Sequence, residues 1–448
     1  MEVALTSICK KINRNIDAIL KANHVSNLTT VYEIALCLNK RMEKTLLNRF
    51  SKLSLRRKLR KFISTLKGFR SHPNETNLKI LLKTAKDLQK SLLDMMVASE
   101  SNIAYITNTL SNSVSILDAT QPLQSPLPTF KTQQCPKSLT ISPDNLNLFI
   151  PNTNTSNPGK VTLYNTTTAK ITTFNVGNNP CAVAVSNDNN TFYTVNSGSR
   201  TVTVITNLNQ KTIKTLPVGS SPRNIALTPD GTKAYIVNAG SRSVTVIDTT
   251  RNQVISTIAV GNNPQALTMS PDGTVVYVAN AGEKTVSIIH TSDDTPITVP
   301  KLNLMGNPIN IIFVQPNENQ NLAYITTKSS NSIAVVDVAT KTIVDTIIIN
   351  SPTIMVATPD QTRIYVARST QNKVSVISTL TNKVIKDISV DGSPSWITIT
   401  GNGDLVVVTL SNSNQVQVIS TSTNTIIDTQ SVGKQPRYVT TMRGNPRN

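Results

Sequence analysis

The sequence predicts a multidomain chain of mixed class, an α-helical bundle followed by a large all-β ring of four-stranded sheets. Three observations predict it. Apolar residues recur at gaps of three and four over residues 1–98, then alternate from Ser101 onward, which are the periods of helix and strand. A loop proline recurs at Pro136, Pro180, Pro222, Pro264, Pro308, Pro352, Pro394 and Pro436, at intervals of 42 or 44 residues. Each interval holds four short runs rich in β-branched residues, the content of one propeller blade.

The clearest copy runs from Ser221 to Pro264. Its runs are Ile225 to Leu227, Ala234 to Val237, Val244 to Ile247 and Val254 to Val260. Turn residues separate them: Pro229-Asp230-Gly231, Asn238-Ala239-Gly240-Ser241 and Thr250-Arg251-Asn252, each suited to reverse the chain. The second strand recurs as Ala104 to Asn108, Phe192 to Asn196, Ala234 to Asn238 and Val276 to Asn280, with weaker copies at Leu148, Ala323, Ile364 and Leu405.

These second strands, reading Tyr-Thr-Val-Asn at Tyr193 to Asn196, resemble the YVTN-repeat β-propeller family of the surface-layer and quinoprotein-dehydrogenase-like superfamily. The resemblance covers roughly residues 99–443. It implies a closed propeller over 99–448, commonly seven-bladed among relatives. The repeat count here favours eight, with seven as the alternative. Ala104 to Asn108 lacks an innermost strand before it, and Pro436 to Met442 matches an innermost strand with nothing after it. Pairing the two ends removes both unpaired edges, so Tyr438 and Tyr105 are expected in one sheet. The Pro308 repeat carries an insertion, Pro316 to Asn321, and Asp293 to Pro296 lengthens the loop before it. Both inserts are expected on the face opposite the loop prolines.

Before the ring, Leu5, Ile8, Ile12, Ile16 and Ile19 form one helical stripe. Thr30 and Glu33 suit a capping box ahead of Ile34, Leu38, Met42 and Leu46. Leu55, Leu59, Phe62 and Leu66 mark a third helix, and Leu78 to Met95 a fourth beyond the break at Ser71 to Asn74. An antiparallel bundle over 1–98 follows. Net charge is +19, of which +13 falls in residues 1–98 and +6 in the remainder. The cations concentrate in Arg56, Arg57, Lys58, Arg60 and Lys61. Three readings compete for this helix: a solvated bundle face, a contact to an acidic protein or anionic membrane, and a contact to nucleic acid, which lacks the interleaved aromatics that would support it.

Four scattered cysteines, Cys9, Cys37, Cys135 and Cys181, do not make a disulfide framework. Cys135 and Cys181 flank equivalent prolines in adjacent repeats and read as two free thiols, with a pairing left open. Residues 1–20 lack the apolar core of a signal peptide, and the unbroken apolar runs, such as Met95 to Ala98, are far shorter than a membrane span. A cytoplasmic location is expected, with export by a signal-independent route as the alternative.

Some relatives in the resembled family carry haem, copper or quinone chemistry. His24, His72 and His290 are the only histidines and are too dispersed for such a site, so no metal or cofactor is expected. A hydrolase or lyase working at the hub calls for converging histidines and carboxylates, and the innermost runs hold almost none. No catalytic residue is therefore assigned. The repeated Pro-Asp-Gly and Gly-x-x-Pro segments read as turns and loops, without the helix start of a phosphate loop.

One face draws attention. The loops at the repeat prolines place Lys137, Arg223 and Arg437 at the hub, with Trp396 beside them. The loops after each second strand place Arg200, Arg242, Lys284, Lys328 and Arg368 farther out. A basic rim with one aromatic suits an acidic peptide or protein partner; the plain alternative is a solvated rim. The function expected from these residues is non-catalytic recognition, the propeller binding a protein or peptide and the basic helices adding a second contact. The alternatives are a hydrolase or lyase with a hub active site, and a nucleic-acid-associated protein. The Asn/Thr-rich repeats suit a surface or secreted protein by resemblance.

Overall fold

Both faces of a second strand such as Ala234 to Asn238 are apolar, and such a strand is stable only with a sheet packed against each side. The computed structural model supplies those sheets. It describes residues 102–442, apart from 121–126, 154–157, 207–211, 297–301 and 319, together with the isolated helical positions 61, 64, 65 and 83. The bundle expected over 1–98, with Arg56, Arg57, Lys58 and Arg60, lies outside the described residues. Among the described residues, no helix is long and apolar enough to cross a membrane.

Eight four-stranded antiparallel sheets form. Blade 1 is composite: its strands are Thr129–Lys131, Ser113–Asp118, Ile103–Asn108 and, innermost, Pro436–Thr441. Tyr105 pairs with Thr440 and Ile106 with Val439, so the two chain regions share one sheet as expected. Blades 2 to 8 follow in chain order, with innermost strands Thr140–Ile141, Pro180–Val185, Pro222–Leu227, Pro264–Met269, Pro308–Asn317, Pro352–Ala357 and Pro394–Ile399. Each innermost strand lies beside the next, and Pro436–Thr441 lies beside both Pro394–Ile399 and Thr140–Ile141, which closes the ring. Thr441 Oγ1 donates to Ile399 O at 2.6 Å across that closure.

The core lies between blades. In blade 4, Ala234 and Ile236 pack with Tyr193 and Val195 of blade 3. The alternate residues Tyr235 and Val237 pack with Val276 and Val278 of blade 5. Period-two alternation thus serves two cores at once. The asparagine ending this strand is also buried. Asn238 Nδ2 donates to Ser243 Oγ at 3.2 Å and Thr245 Oγ1 at 2.9 Å on the third strand, and its side chain packs beneath Gly219 of the loop into blade 4.

Two blades depart from the pattern. In blade 2 the innermost strand shrinks to Thr140–Ile141, and Pro136 keeps only a bridge to Asn152. In blade 6 the insertion extends the hairpin between Pro308–Asn317 and Gln320–Thr327. That hairpin, like the turn holding Asp293 and Asp294, lies on the face opposite the loop prolines.

Candidate functional site

All eight loop prolines are buried. In six of the loops the residue before the proline has a left-handed backbone, Cys135, Asn179, Ser221, Asn263, Ser351 and Gln435. That kink turns the chain from the outermost strand of one blade to the hub of the next. The first two residues after each proline therefore ring the mouth of the hub.

Some of these residues staple neighbouring blades. Ser138 Oγ donates to Cys181 O at 3.0 Å, and Ser395 Oγ to Pro436 O at 3.0 Å. The Cys181 thiol points at Pro222 O and Arg223 O, each 3.5 Å away. Others are long and face outward: Arg223 and Arg437 are exposed and Lys137 half-buried. Trp396 and Tyr438 form an aromatic pair at the blade 8 to blade 1 junction, with ring centroids 4.5 Å apart. One sector of the mouth, from blade 8 through blade 4, is thus cationic and aromatic. The remaining sector is neutral, with Gln265, Ile309 and Thr353 at the corresponding positions.

Electrostatics ties this sector together. Burial pushes the Cys181 thiol up to about 11, although the charges of Lys137 and Arg223 and a backbone hydrogen bond from Ser197 oppose it. Cys181 is therefore a protonated thiol at neutral pH and a poor nucleophile. Burial likewise raises the Tyr438 phenol, against the lowering effect of Arg437. Cys135 and Cys181 are both free thiols. Among the described residues, no group of three or more His, Cys, Asp or Glu side chains is placed to hold a metal.

The sequence placed Lys137, Arg223, Arg437 and Trp396 at the hub, and in the structure each is the first or second residue after a buried loop proline, with Trp396 packed against the core between blades 8 and 1. Arg200, Arg242, Lys284 and Lys328 lie farther out on the same face and are exposed. Arg368 does not belong with them. It is only 8% exposed. Its Nε donates to Asn350 O at 2.8 Å, and its Nη1 lies 3.1 Å from Asp387 Oδ2. The reason is that Asp387 on the outermost strand offers a charge partner inside blade 7, so the guanidinium turns inward. Two hub residues escaped the sequence reading as site residues, Tyr438 and Cys181. Their signal was position alone, the first or second residue after a loop proline.

Residues 206–344 match the family described as Lactonase, 7-bladed beta-propeller. That stretch spans blades 4 and 5 and most of blade 6, and includes Arg223 but not Lys137, Trp396 or Arg437. No curated protein matches the sequence. Among solved structures, the chain is similar to the dihydro-heme d1 dehydrogenase NirN, with a TM-score of 0.67 at 13% identity, over 83% of this chain and 87% of that one. AztD from Citrobacter koseri aligns with a TM-score of 0.57 at 14% identity, over 77% of this chain and 99% of that one. A putative 6-phosphogluconolactonase from Bacteroides fragilis NCTC 9343 aligns with a TM-score of 0.50 at 16% identity, over 68% of this chain and 100% of that one. At these identities the likenesses establish the β-propeller fold.

The match to a lactonase family corrects the expectation of a non-catalytic recognition scaffold. That expectation rested on the scarcity of histidines and carboxylates along the innermost strands. The cations at the hub, already evident in the sequence, fitted an acidic partner equally well, and the family match is what overturns that reading.

Proposed function

We propose that this chain is a lactone hydrolase whose reaction takes place at the cationic sector of the hub mouth. The observation that carries the reading is the match of residues 206–344 to the Lactonase family, in a ring whose mouth gathers Lys137, Arg223 and Arg437 beside an aromatic pair. The printed description of the Bacteroides fragilis neighbour favours a phosphorylated sugar lactone as substrate. Within this reading the repeats are of the YVTN type, and the ring has one blade more than the family description.

A lactone is an internal ester. Water adds to its carbonyl carbon and negative charge builds on the carbonyl oxygen. The ring C–O bond then breaks, the departing oxygen takes a proton, and a hydroxy acid leaves as its carboxylate with one proton released. Fixed cations at the mouth stabilise the developing oxyanion. Arg437, next to Trp396 and Tyr438, is assigned to that oxyanion. Lys137 and Arg223, which flank Cys181, are assigned to the anionic substituent. The Trp396–Tyr438 pair offers an apolar wall to the sugar ring.

The test is acid release from 6-phosphoglucono-δ-lactone in a pH-stat, against the spontaneous rate. Arg437→Ala is expected to lower kcat by roughly 10²-fold, the scale of losing one oxyanion donor. Arg223→Ala is expected to raise KM for the phosphorylated lactone and leave the unphosphorylated one unchanged. A wild-type rate equal to background on both lactones would overturn the proposal.

A further inference from the structure

The last residue before the third strand has a left-handed backbone in seven of the eight blades. In blades 1, 6, 7 and 8 it is Asn112, Asn331, Asn372 and Asn414, with φ between 50° and 56°. Asparagine tolerates this conformation better than other side chains bearing a Cβ. It also serves the loop into the next blade. Asn112 Oδ1 accepts from Cys135 N at 2.8 Å, Asn331 Oδ1 from Ser351 N at 3.0 Å, and Asn414 Oδ1 from Gln435 N at 2.8 Å.

Blades 3, 4 and 5 break this rule together. They carry Arg200 (φ 56°), Arg242 (φ 51°) and Lys284 (φ 56°). A long cation has no acceptor for the loop N–H and no preference for this backbone. All three side chains are exposed. They stand in consecutive blades on the mouth face, around the loop that delivers Arg223.

The opposite face carries carboxylates, with Lys233 and Arg251 paired among them. The turn between first and second strands holds Asp188 in blade 3, Asp230 in blade 4 and Asp272 in blade 5. Asp230 accepts from Thr232 N at 3.0 Å, and Asp272 from Thr274 N at 3.1 Å. At the mouth end of these three blades the second-to-third strand loops carry three cations against one carboxylate, Glu283.

We infer that Arg200, Arg242 and Lys284 form an anion-collecting arc that steers the anionic substrate to the hub mouth. The inference rests on the hydrolase reading for its substrate, and on the charge pattern for its mechanism. A like-charged concave surface raises the local concentration of an oppositely charged ligand and its association rate. Added salt screens this effect beyond about 10 Å at 0.1 M ionic strength. The arc acts at a distance and makes no contact with the reacting atoms.

The experiment uses the full-length chain and the triple variant Arg200→Asn, Arg242→Asn, Lys284→Asn, which restores the residue the other blades use. Its thermal midpoint is expected to equal or exceed that of the wild type, so a folding defect does not confuse the result. Two rates are read at 10 mM and at 500 mM salt. One is kcat/KM for 6-phosphoglucono-δ-lactone, with neutral glucono-δ-lactone as control. The other is stopped-flow association of the fluorescent trianion 8-hydroxypyrene-1,3,6-trisulfonate. At low salt the variant is expected to lose on the order of tenfold in both rates, the lower end of steering effects. At high salt the difference should vanish, with kcat and the neutral lactone unaffected throughout. Identical salt dependence of trianion association in variant and wild type would overturn the arc. Loss of trianion steering in the variant with no lactone hydrolysis by either protein would uphold the arc and remove the hydrolase reading.

Discussion

Tyr365 donates its hydroxyl to the side-chain oxygen of Asn424 at 2.6 Å, although the two residues belong to neighbouring blades. The same clasp joins Tyr193 to Asn252, Tyr235 to Asp294 and Tyr324 to Asn382. Each acceptor precedes an outermost strand and has a left-handed backbone. The tyrosine of the second strand thus has two tasks. Its ring fills the core between blades, and its hydroxyl ties down the next blade's outer turn. Burial pushes the Tyr193 phenol up to about 12 and raises those of Tyr235 and Tyr324 as well, so these groups remain donors at physiological pH.

Tyr277 breaks the series. It is fully buried, and its hydroxyl has no partner. The residue at the acceptor position of blade 6 is Lys341, with φ 58°. Lys341→Asn supplies both an acceptor and a side chain suited to that backbone. The expected gain is about 1 kcal/mol, the net worth of one buried hydrogen bond, read by chemical denaturation. Tyr365→Phe should lose about as much, whereas Tyr277→Phe should be near neutral. Equal losses for the two phenylalanine variants would sink the clasp.

The glycines separate into two kinds. A Cβ at Gly219 would lie 2.7 Å from Asn238 Cγ and 2.8 Å from its Cβ. This is why a glycine stands three residues before the loop proline. Gly219→Ala is expected to destabilise by roughly 1–3 kcal/mol through overpacking. Gly231 has open space around it, its nearest contact being Asn187 Nδ2 at 3.8 Å, but its φ is +73°. Gly231→Ala should cost about 1 kcal/mol through backbone conformation alone. Gly231→Asn should recover most of that loss, whereas Gly219→Asn should not. Denaturation midpoints of the four variants distinguish the two causes.

The ring was legible in the sequence because its determinants are local. Each blade repeats its own turn residues, and the missing innermost strand before Ala104 pairs with the surplus one at Pro436. The eighth blade could therefore be counted. The hub was only partly legible. Arg437 and Lys137 stand in neighbouring blades because the ring closes, and position after a proline was the sole clue to Tyr438 and Cys181. The inward turn of Arg368 depends on Asp387, two strands away, and on a ladder that pairs Asp387 with Ser375. No sequence spacing reveals that register. The function was not legible because hub cations and one aromatic suit an acidic partner as well as an anionic substrate, and only the match of residues 206–344 to a lactonase family separates the two.

Acid should loosen the turns before it touches the cores. Hydrogen bonds from Thr228 and Thr232 hold the Asp230 carboxyl below the usual carboxylate range, and those from Ser186 and Asn190 do the same for Asp188. Bonds from Thr250 and Arg251 bring Asp248 down to about 2. These values are depressed in the folded state, so the stability they contribute is complete above the unfolded value of about 3.9. It is lost as pH falls through the folded values. The thermal midpoint is expected to stay flat from pH 7 to pH 5 and to drop between about pH 4 and pH 2. Asp230→Asn should shallow that drop. A decline that sets in above pH 5 would point to other groups.

Cys181 gives a chemical probe of the hub. Its thiol is pushed up to about 11 by burial, with Lys137 and Arg223 pulling the other way. Only the thiolate is alkylated. Reaction with iodoacetamide, followed by peptide mass spectrometry, should be slow at pH 7.5 and rise about tenfold per pH unit up to pH 10. Lys137→Ala removes one of the two charges that stabilise the thiolate, so it should slow the reaction further at every pH. A ligand seated among Lys137, Arg223 and Arg437 should also slow it, by covering the sulfur. Cys181→Ser keeps a donor toward Pro222 O and should leave the thermal midpoint nearly unchanged. Cys181→Val leaves that carbonyl without its hydrogen-bond donor and should lower the midpoint. Rapid alkylation at pH 7.5 that is indifferent to Lys137 would mean that the sulfur lies in open solvent, away from the cationic sector.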